Sequence, residues 1–189
     1  MAQFGGNPGV AHLKAAKHIL CYLKGTVNFN LILGHCSRNT FDLVGWTDLS
    51  WAQNQDNCCS ISDFVFDIAR SSISWSSKKQ ATVATSSVKA EYIVSSNATK
   101  EAIWLHTLLT ELDFPPTTTT IIYTNNPIAY LHAKHIDIHH HFIHKRVEQE
   151  EVNLQYVFTK DILADIFTKA LSCEMFIKFQ TRLGVLLQN

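Results

Sequence analysis

The sequence lacks net charge. Sixteen Lys and Arg stand against sixteen Asp and Glu, and charged residues make up only 17% of the chain. There is no global basic field, so any binding of nucleic acid has to rest on local patches. Long apolar runs are missing as well: no stretch of eighteen occurs, which argues against a membrane-spanning helix. The first residues carry no signal-peptide pattern. The five cysteines are odd in number, show no metal-ligand spacing and include the adjacent pair Cys58 and Cys59, which is poor disulfide geometry. They read as reduced thiols. These absences lead us to expect a soluble intracellular protein, cytoplasmic or nuclear, with no membrane partner. Repeats are absent, and low complexity is confined to Thr117 to Thr120.

The chain is nonetheless rich in material for a core. Hydrophobic residues are 46% of 189, the composition of a globular chain. That length fits one domain with extensions, and a domain near 150 residues buries roughly 70% of its unfolded surface.

Residues 9–24 space Leu13, Ala16, Ile19, Leu20 and Leu23 as a helix, stopped by Gly25. Residues 31–35 and 41–48 read as strands, with Phe41, Leu43 and Gly45 alternating with Asp42, Val44 and Trp46. After a polar loop at 49–62, residues 63–69 and 72–76 form strands close enough for a hairpin. Ser86 or Ser87 can cap a long helix reaching Leu112, with Ala90, Val94, Ala98, Ile103, Leu108 and Leu112 inward and Pro115-Pro116 closing the segment. Residues 119–124 form a strand, Pro127 can open a short helix, and 135–149 read as a helix with Ile136, Ile143 and Val147 on one side. A strand at 152–158 and helices at 161–170 and 173–187 complete the chain. The order from residue 41 is β-β-β-α-β-α-α-β-α. It predicts an α/β fold, a five-stranded mixed sheet of three antiparallel strands and then two alternating with helices, with helices packed on it.

Four polar positions stand beside these apolar runs: Asp48 at a strand end, Glu91 one turn into the long helix, Asn125 after the strand 119–124, and Asp165 early in a late helix. Strand ends and helix starts can converge at one sheet edge. Carboxylates gathered there repel one another unless cations lie between them. Mg²⁺ prefers such hard oxygen ligands, and two ions ~4 Å apart can activate water in phosphodiester cleavage. Spacing alone is weak support, because a lone Asp at a strand end is more often a cap or turn residue.

The strings GWTDLSWA, ISWSSKKQATVATSSVKAEYIVSSNATKEAIWLHTLLTEL, YTNNPIAYL and AKHIDIHHHFIHKRVEQEEVNLQYVFTKDILADIFTKAL carry more. Over about residues 41–171 they closely resemble the RNase H domain of copia-type retrotransposon Pol polyproteins. Residues 7–25 resemble the end of the preceding reverse transcriptase region. The resemblance implies a reverse transcriptase remnant at 1–30, an RNase H-like domain at 31–171 and a helical tail at 172–189. It also implies two-metal hydrolysis, with Mg²⁺ or Mn²⁺, of the RNA strand of an RNA–DNA hybrid. The hybrid and the rest of the polyprotein are the expected partners. The metal ligands would be Asp48, Glu91 and Asp165, and position 125 would complete the catalytic set.

Position 125 departs. The family has Asp there, in a Cys-Asp-Asn run, where this chain has Thr124-Asn125-Asn126. An amide is a neutral, weaker ligand, so nuclease activity is expected to be low or absent, the chain then being an inactive nucleic-acid-binding remnant. Lys89 replaces the Glu of a capping box, Asp63 stands where Gly is usual, and residues are missing between Leu131 and Lys134. Asp63, Lys89, Asn125, His144 and Cys58 each differ from the family residue by one G-to-A or C-to-T change. That pattern suggests a decaying copy mutated in part by cytosine deamination; genomic DNA dominated by transversions would sink the idea.

Trp75, Lys78 and Lys79 are the candidates for hybrid contact, with the lysines on phosphates. Trp46, Trp51 and Trp104 read as core or near-core anchors. His135, His139, His140, His141 and His144 include i, i+4 pairs usable by zinc. A His-rich metal-binding or interaction module is thus a third reading, although no Cys or acidic partner completes a set.

Overall fold

The computed structural model describes residues 5–34, 42–50, 60–81, 83–84, 86–126 and 138–188. In chain order these give α1 (Val10–Gly25), β1 (Phe29–Leu31), β2 (Leu43–Ser50), β3 (Ile61–Ile68), β4 (Ser71–Lys79), α2 (Ser87–Glu111), β5 (Thr120–Thr124), α3 (Ile138–Glu148), β6 (Val152–Tyr156), α4 (Asp165–Thr168), α5 (Cys173–Arg182) and β7 (Val185–Leu187). Five strands form one sheet in the order β4-β3-β2-β5-β6. β2, β3 and β4 are antiparallel neighbours, while β5 lies parallel to both β2 and β6. This is the mixed sheet expected from the sequence.

Both sheet faces are covered, which is why β2 reads as a nearly continuous buried run. On one face Leu43, Phe66, Ile122 and Val152 pack against Ala98, Ala102 and Leu105 of α2. Small residues bring that helix close. Gly45 serves the same face by close approach: a Cβ there would lie 2.6 Å from the Phe66 ring. On the other face Trp46 and Val65 pack against Ile162, Leu163 and Ala164, and against Phe179 and Leu183 of the C-terminal segment.

Several expectations need correction. The buried stripe of α2 runs through Ala98, Ala102 and Leu105, whereas Leu112 is exposed. Residues 161–170 do not form one helix. Ile162, Leu163 and Ala164 are consecutive and all buried, and no single helical face can hide three neighbours. The chain therefore makes a 3₁₀ turn at Thr159–Asp161, extends, and turns once more as α4. The last helix stops at Arg182, not 187. Gly184 adopts a left-handed φ of +81° and sends Val185–Leu187 into an antiparallel pair with β1. α1 forms where the spacing placed it, but none of its residues is buried. The expected Pro127 helix, Ile136, Phe41 and Trp51 lie outside the described residues.

The β3–β4 connection is a two-residue hairpin in which Ala69 and Arg70 both take left-handed φ, +51° and +61°. That backbone matches the twist of the strands but favours Gly or Asn. Ser86 is the cap of α2, accepting from Lys89 N at 3.2 Å. Among the described residues no helix is long and apolar enough to cross a membrane.

Candidate functional site

The parallel pairing of β2 and β5 brings the ends of both strands to one sheet edge, where α2 begins and α4 returns. The four polar positions meet there around Asp48, which is almost fully buried. Asn125 donates from Nδ2 to Asp48 Oδ1 at 3.1 Å, and Thr168 donates from Oγ1 to Asp48 Oδ2 at 2.7 Å. Lys169 Nζ lies 3.2 Å from Asp48 Oδ2 and 2.7 Å from Asp165 Oδ1. Glu91 reaches the cluster from the first turns of α2, and its Oε2 is buried with no hydrogen-bond partner.

In the sequence Asp63 stands out only as a departure from the family residue. The strand register places it directly opposite Asp48, on the same sheet face. It is fully buried, and neither carboxylate oxygen has a hydrogen bond of normal geometry. Like charges directly across a strand pair destabilise it. Strands joined by a tight hairpin set which residues face one another, but β2 ends at Ser50 and β3 starts at Ile61, a separation too long for the sequence to fix the register.

Burial dominates the electrostatics. It pushes the Glu91 carboxyl up to about 8, with the nearby Asp48 charge adding and Lys169 opposing. Asp63 is raised to about 6, by burial first; the facing Ser77 hydroxyl pulls back, Asp48 pushes further and Lys169 opposes. Asp165 also rises to about 6, again mainly through burial, against the pull of Lys169 and with the push of Asp48. Burial would lower the Lys169 ammonium, but its contacts with Asp165 and Asp48 outweigh that and raise it.

These residues, as placed, do not fit a pair of divalent ions. A cation needs converging lone pairs, whereas Asp48 meets the N–H of Asn125, the O–H of Thr168 and the ammonium of Lys169. Burial favours the protonated form of Glu91. Among the described residues no three His, Cys, Asp or Glu side chains are grouped so as to hold a metal.

The proposed hybrid-contact residues split between the two faces. Trp75 and Lys79 lie on the Asp48 face of β4, in register with Val65 and Ile61, while Lys78 pairs with Ser62 on the α2 face. There Lys78 joins Asn97, Lys100 and Trp104 around an open groove of about 540 Å³. Trp104 is therefore not a core anchor: it is 56% exposed, whereas Trp46 is buried as expected. Nothing in the sequence marks Asn97 and Lys100. They fall on the outer edge of α2, one turn apart, and only strand β4 beside them makes a groove.

On α3 the rings of His140 and His144 lie 4.1 Å apart, and His140 packs edge-on against Tyr92. Burial and then His144 and His141 hold His140 below its usual range. His135 and the side chain of His139 are outside the described residues.

No protein-family model matches the chain. It is 37% identical over 194 residues to the retrovirus-related Pol polyprotein from transposon RE1 of Arabidopsis thaliana, an alignment covering 98% of this chain and 13% of that polyprotein. It is also 39% identical over 105 residues to the secreted RxLR effector protein 161 of Plasmopara viticola, covering 56% of this chain and 72% of that protein. Among solved structures, LC11-RNase H1, isolated from compost by a metagenomic approach, superposes over 68% of this chain and 93% of that one. The TM-score is 0.50 at 12% identity, a likeness of fold. The chain thus spans about an eighth of the length of the transposon polyprotein it matches.

Proposed function

Because the chain belongs to the copia-type retrotransposon Pol polyproteins, as their RNase H region, we propose that it is a hybrid-binding RNase H-like domain whose inherited nuclease site is impaired. The ancestral reaction is hydrolysis of the RNA strand of an RNA–DNA hybrid with Mg²⁺ or Mn²⁺, and the rest of the polyprotein is its natural partner. The observation that carries the reading is Asn125, which turns an N–H toward Asp48 Oδ1 at 3.1 Å. The family residue there would offer a carboxylate. Losing ~3 kcal/mol of transition-state stabilisation lowers a rate by over a hundredfold.

The basic and aromatic residues beside the sheet edge support retained binding. Lys78 and Lys79 would meet phosphates without reading sequence, and exposed Trp75 offers a stacking surface. Their division between two faces suits a duplex that straddles β4.

A hybrid-cleavage assay with Mg²⁺ or Mn²⁺ tests this. The unaltered chain should bind hybrid but cut at a background rate, and Asn125→Asp should raise cutting by about a hundredfold or more. Clear cutting by the unaltered chain that vanishes in Asp48→Ala would refute the impaired reading. No gain in Asn125→Asp would move the defect to Lys89 or to the shortened stretch between Leu131 and Lys134.

A further inference from the structure

The acidic edge already contains a cation. Lys169 Nζ lies 2.7 Å from Asp165 Oδ1, and 3.4 Å and 3.2 Å from the two oxygens of Asp48. Local backbone fixes the first contact: Lys169 follows Asp165 by four residues, and its N–H donates to the Asp165 carbonyl at 3.0 Å, closing the single turn of α4. The long-range contact ties that turn to β2, 121 residues away in sequence. Asp48 has its remaining acceptor capacity filled by Thr168 and Asn125. The Lys169 side chain is 35% exposed, so the ammonium can leave toward solvent without unfolding its surroundings.

Two buried carboxylates with no counter-charge repel strongly in a low dielectric, and a positive charge between them removes most of that penalty. We propose that Lys169 is the resident counter-cation of this site: it takes the place between Asp48 and Asp165 that a metal ion would need, and any divalent cation has to displace it. Two consequences follow for the molecule. The acidic edge is held together with no metal bound, and its affinity for divalent ions is set by competition with a tethered ammonium. The inference rests on the placement of Lys169 alone, so it stands or falls separately from whether hybrid is bound or cut.

The test is metal dependence of folding and of binding, measured on the full chain. Thermal unfolding of the unaltered chain should be the same in EDTA and in low millimolar Mn²⁺. Lys169→Met keeps the stem and removes the charge. It should lower Tm in EDTA, recover it with Mn²⁺ by mass action, and bind free Mn²⁺, counted by electron paramagnetic resonance, about tenfold or more tightly. Lys169→Arg keeps the charge and should stay insensitive. Unchanged or weaker Mn²⁺ binding in Lys169→Met would overturn the proposal. Should that variant not fold, reductive methylation of the unaltered chain decides. Lys169 should react several-fold more slowly than exposed Lys78 and Lys79 in EDTA, and equal rates would overturn it.

Discussion

Strand β2 crosses two regions that handle burial differently. Around Leu43 and Gly45, side chains meet only other apolar groups: Phe66, Ile122 and the small-residue face of α2. Three residues beyond Gly45, the same strand buries Asp48 beside Asp63, Glu91 and Asp165. The first region is satisfied by contact alone. In the second, both oxygens of Asp63 and one of Glu91 lack a hydrogen bond of normal geometry, and every carboxyl with a resolved shift is driven toward its protonated form. Packing of that kind does not serve stability. It is what remains when a site arranged for charge is kept in a fold whose apolar half supplies the stability to carry it.

The largest expected effect tests the apolar half. Phe66→Ala should lower unfolding free energy by about 3–5 kcal/mol, read from urea denaturation. A loss below about 1 kcal/mol would show that the Gly45 contact is looser than described.

The next sharpens the polar half through pH. The Glu91 carboxyl lies near 4.5 in the unfolded chain and about 8 when folded. A raised acid contributes stability that is complete below the unfolded value and lost as pH rises through the folded one. Stability should therefore fall between about pH 4.5 and pH 8, by on the order of 5 kcal/mol from this group. Glu91→Gln should flatten the upper part of that decline, and a parallel curve in the variant would refute the assignment.

Asp63→Asn gives the smallest effect. It removes a buried charge while keeping the shape, and should stabilise the chain by about 1–3 kcal/mol at pH 8. The gain should disappear at pH 4.5, where the folded carboxyl, raised to about 6, is already protonated. A gain of equal size at both pH values would mean that packing, not charge, is responsible.

Much of this was visible in the order of residues. The five strands and the long helix capped by Ser86 follow from period, caps and strand order, whereas Asp48, Glu91, Asn125 and Asp165 stand out as a set only through the resemblance of the strings around them. The errors share a cause: each needed information from a distant segment. Leu112 continues the helical spacing of α2 yet lies beyond the sheet that would cover it. Trp104 is large and apolar, but its side of α2 faces a groove and not a layer. Val185 to Leu187 extend the apolar pattern of α5, and only the left-handed turn at Gly184, pressed to within 2.9 Å of the Ile32 carbonyl for any added Cβ, shows why the helix cannot go on. Asp63 belongs to the site solely through its register with Asp48.

The pairing of β1 with β7 has a mechanical consequence. Phe29 faces Leu187, Leu31 faces Val185, Gln188 N donates to Asn28 O at 2.8 Å, and Ile32 N donates to Gly184 O at 2.8 Å. Residues 28 and 188 thus sit side by side at the open end of an antiparallel ladder. Tension applied to the chain on either side would part the rungs singly, as a zipper opens, with little resistance. The five-stranded sheet, whose β5 runs parallel to both neighbours, would feel the load only after the last rung, from Ile32 to Gly184, had gone. In a force-extension trace the chain should yield in two events, a soft early release and a later, stiffer rupture.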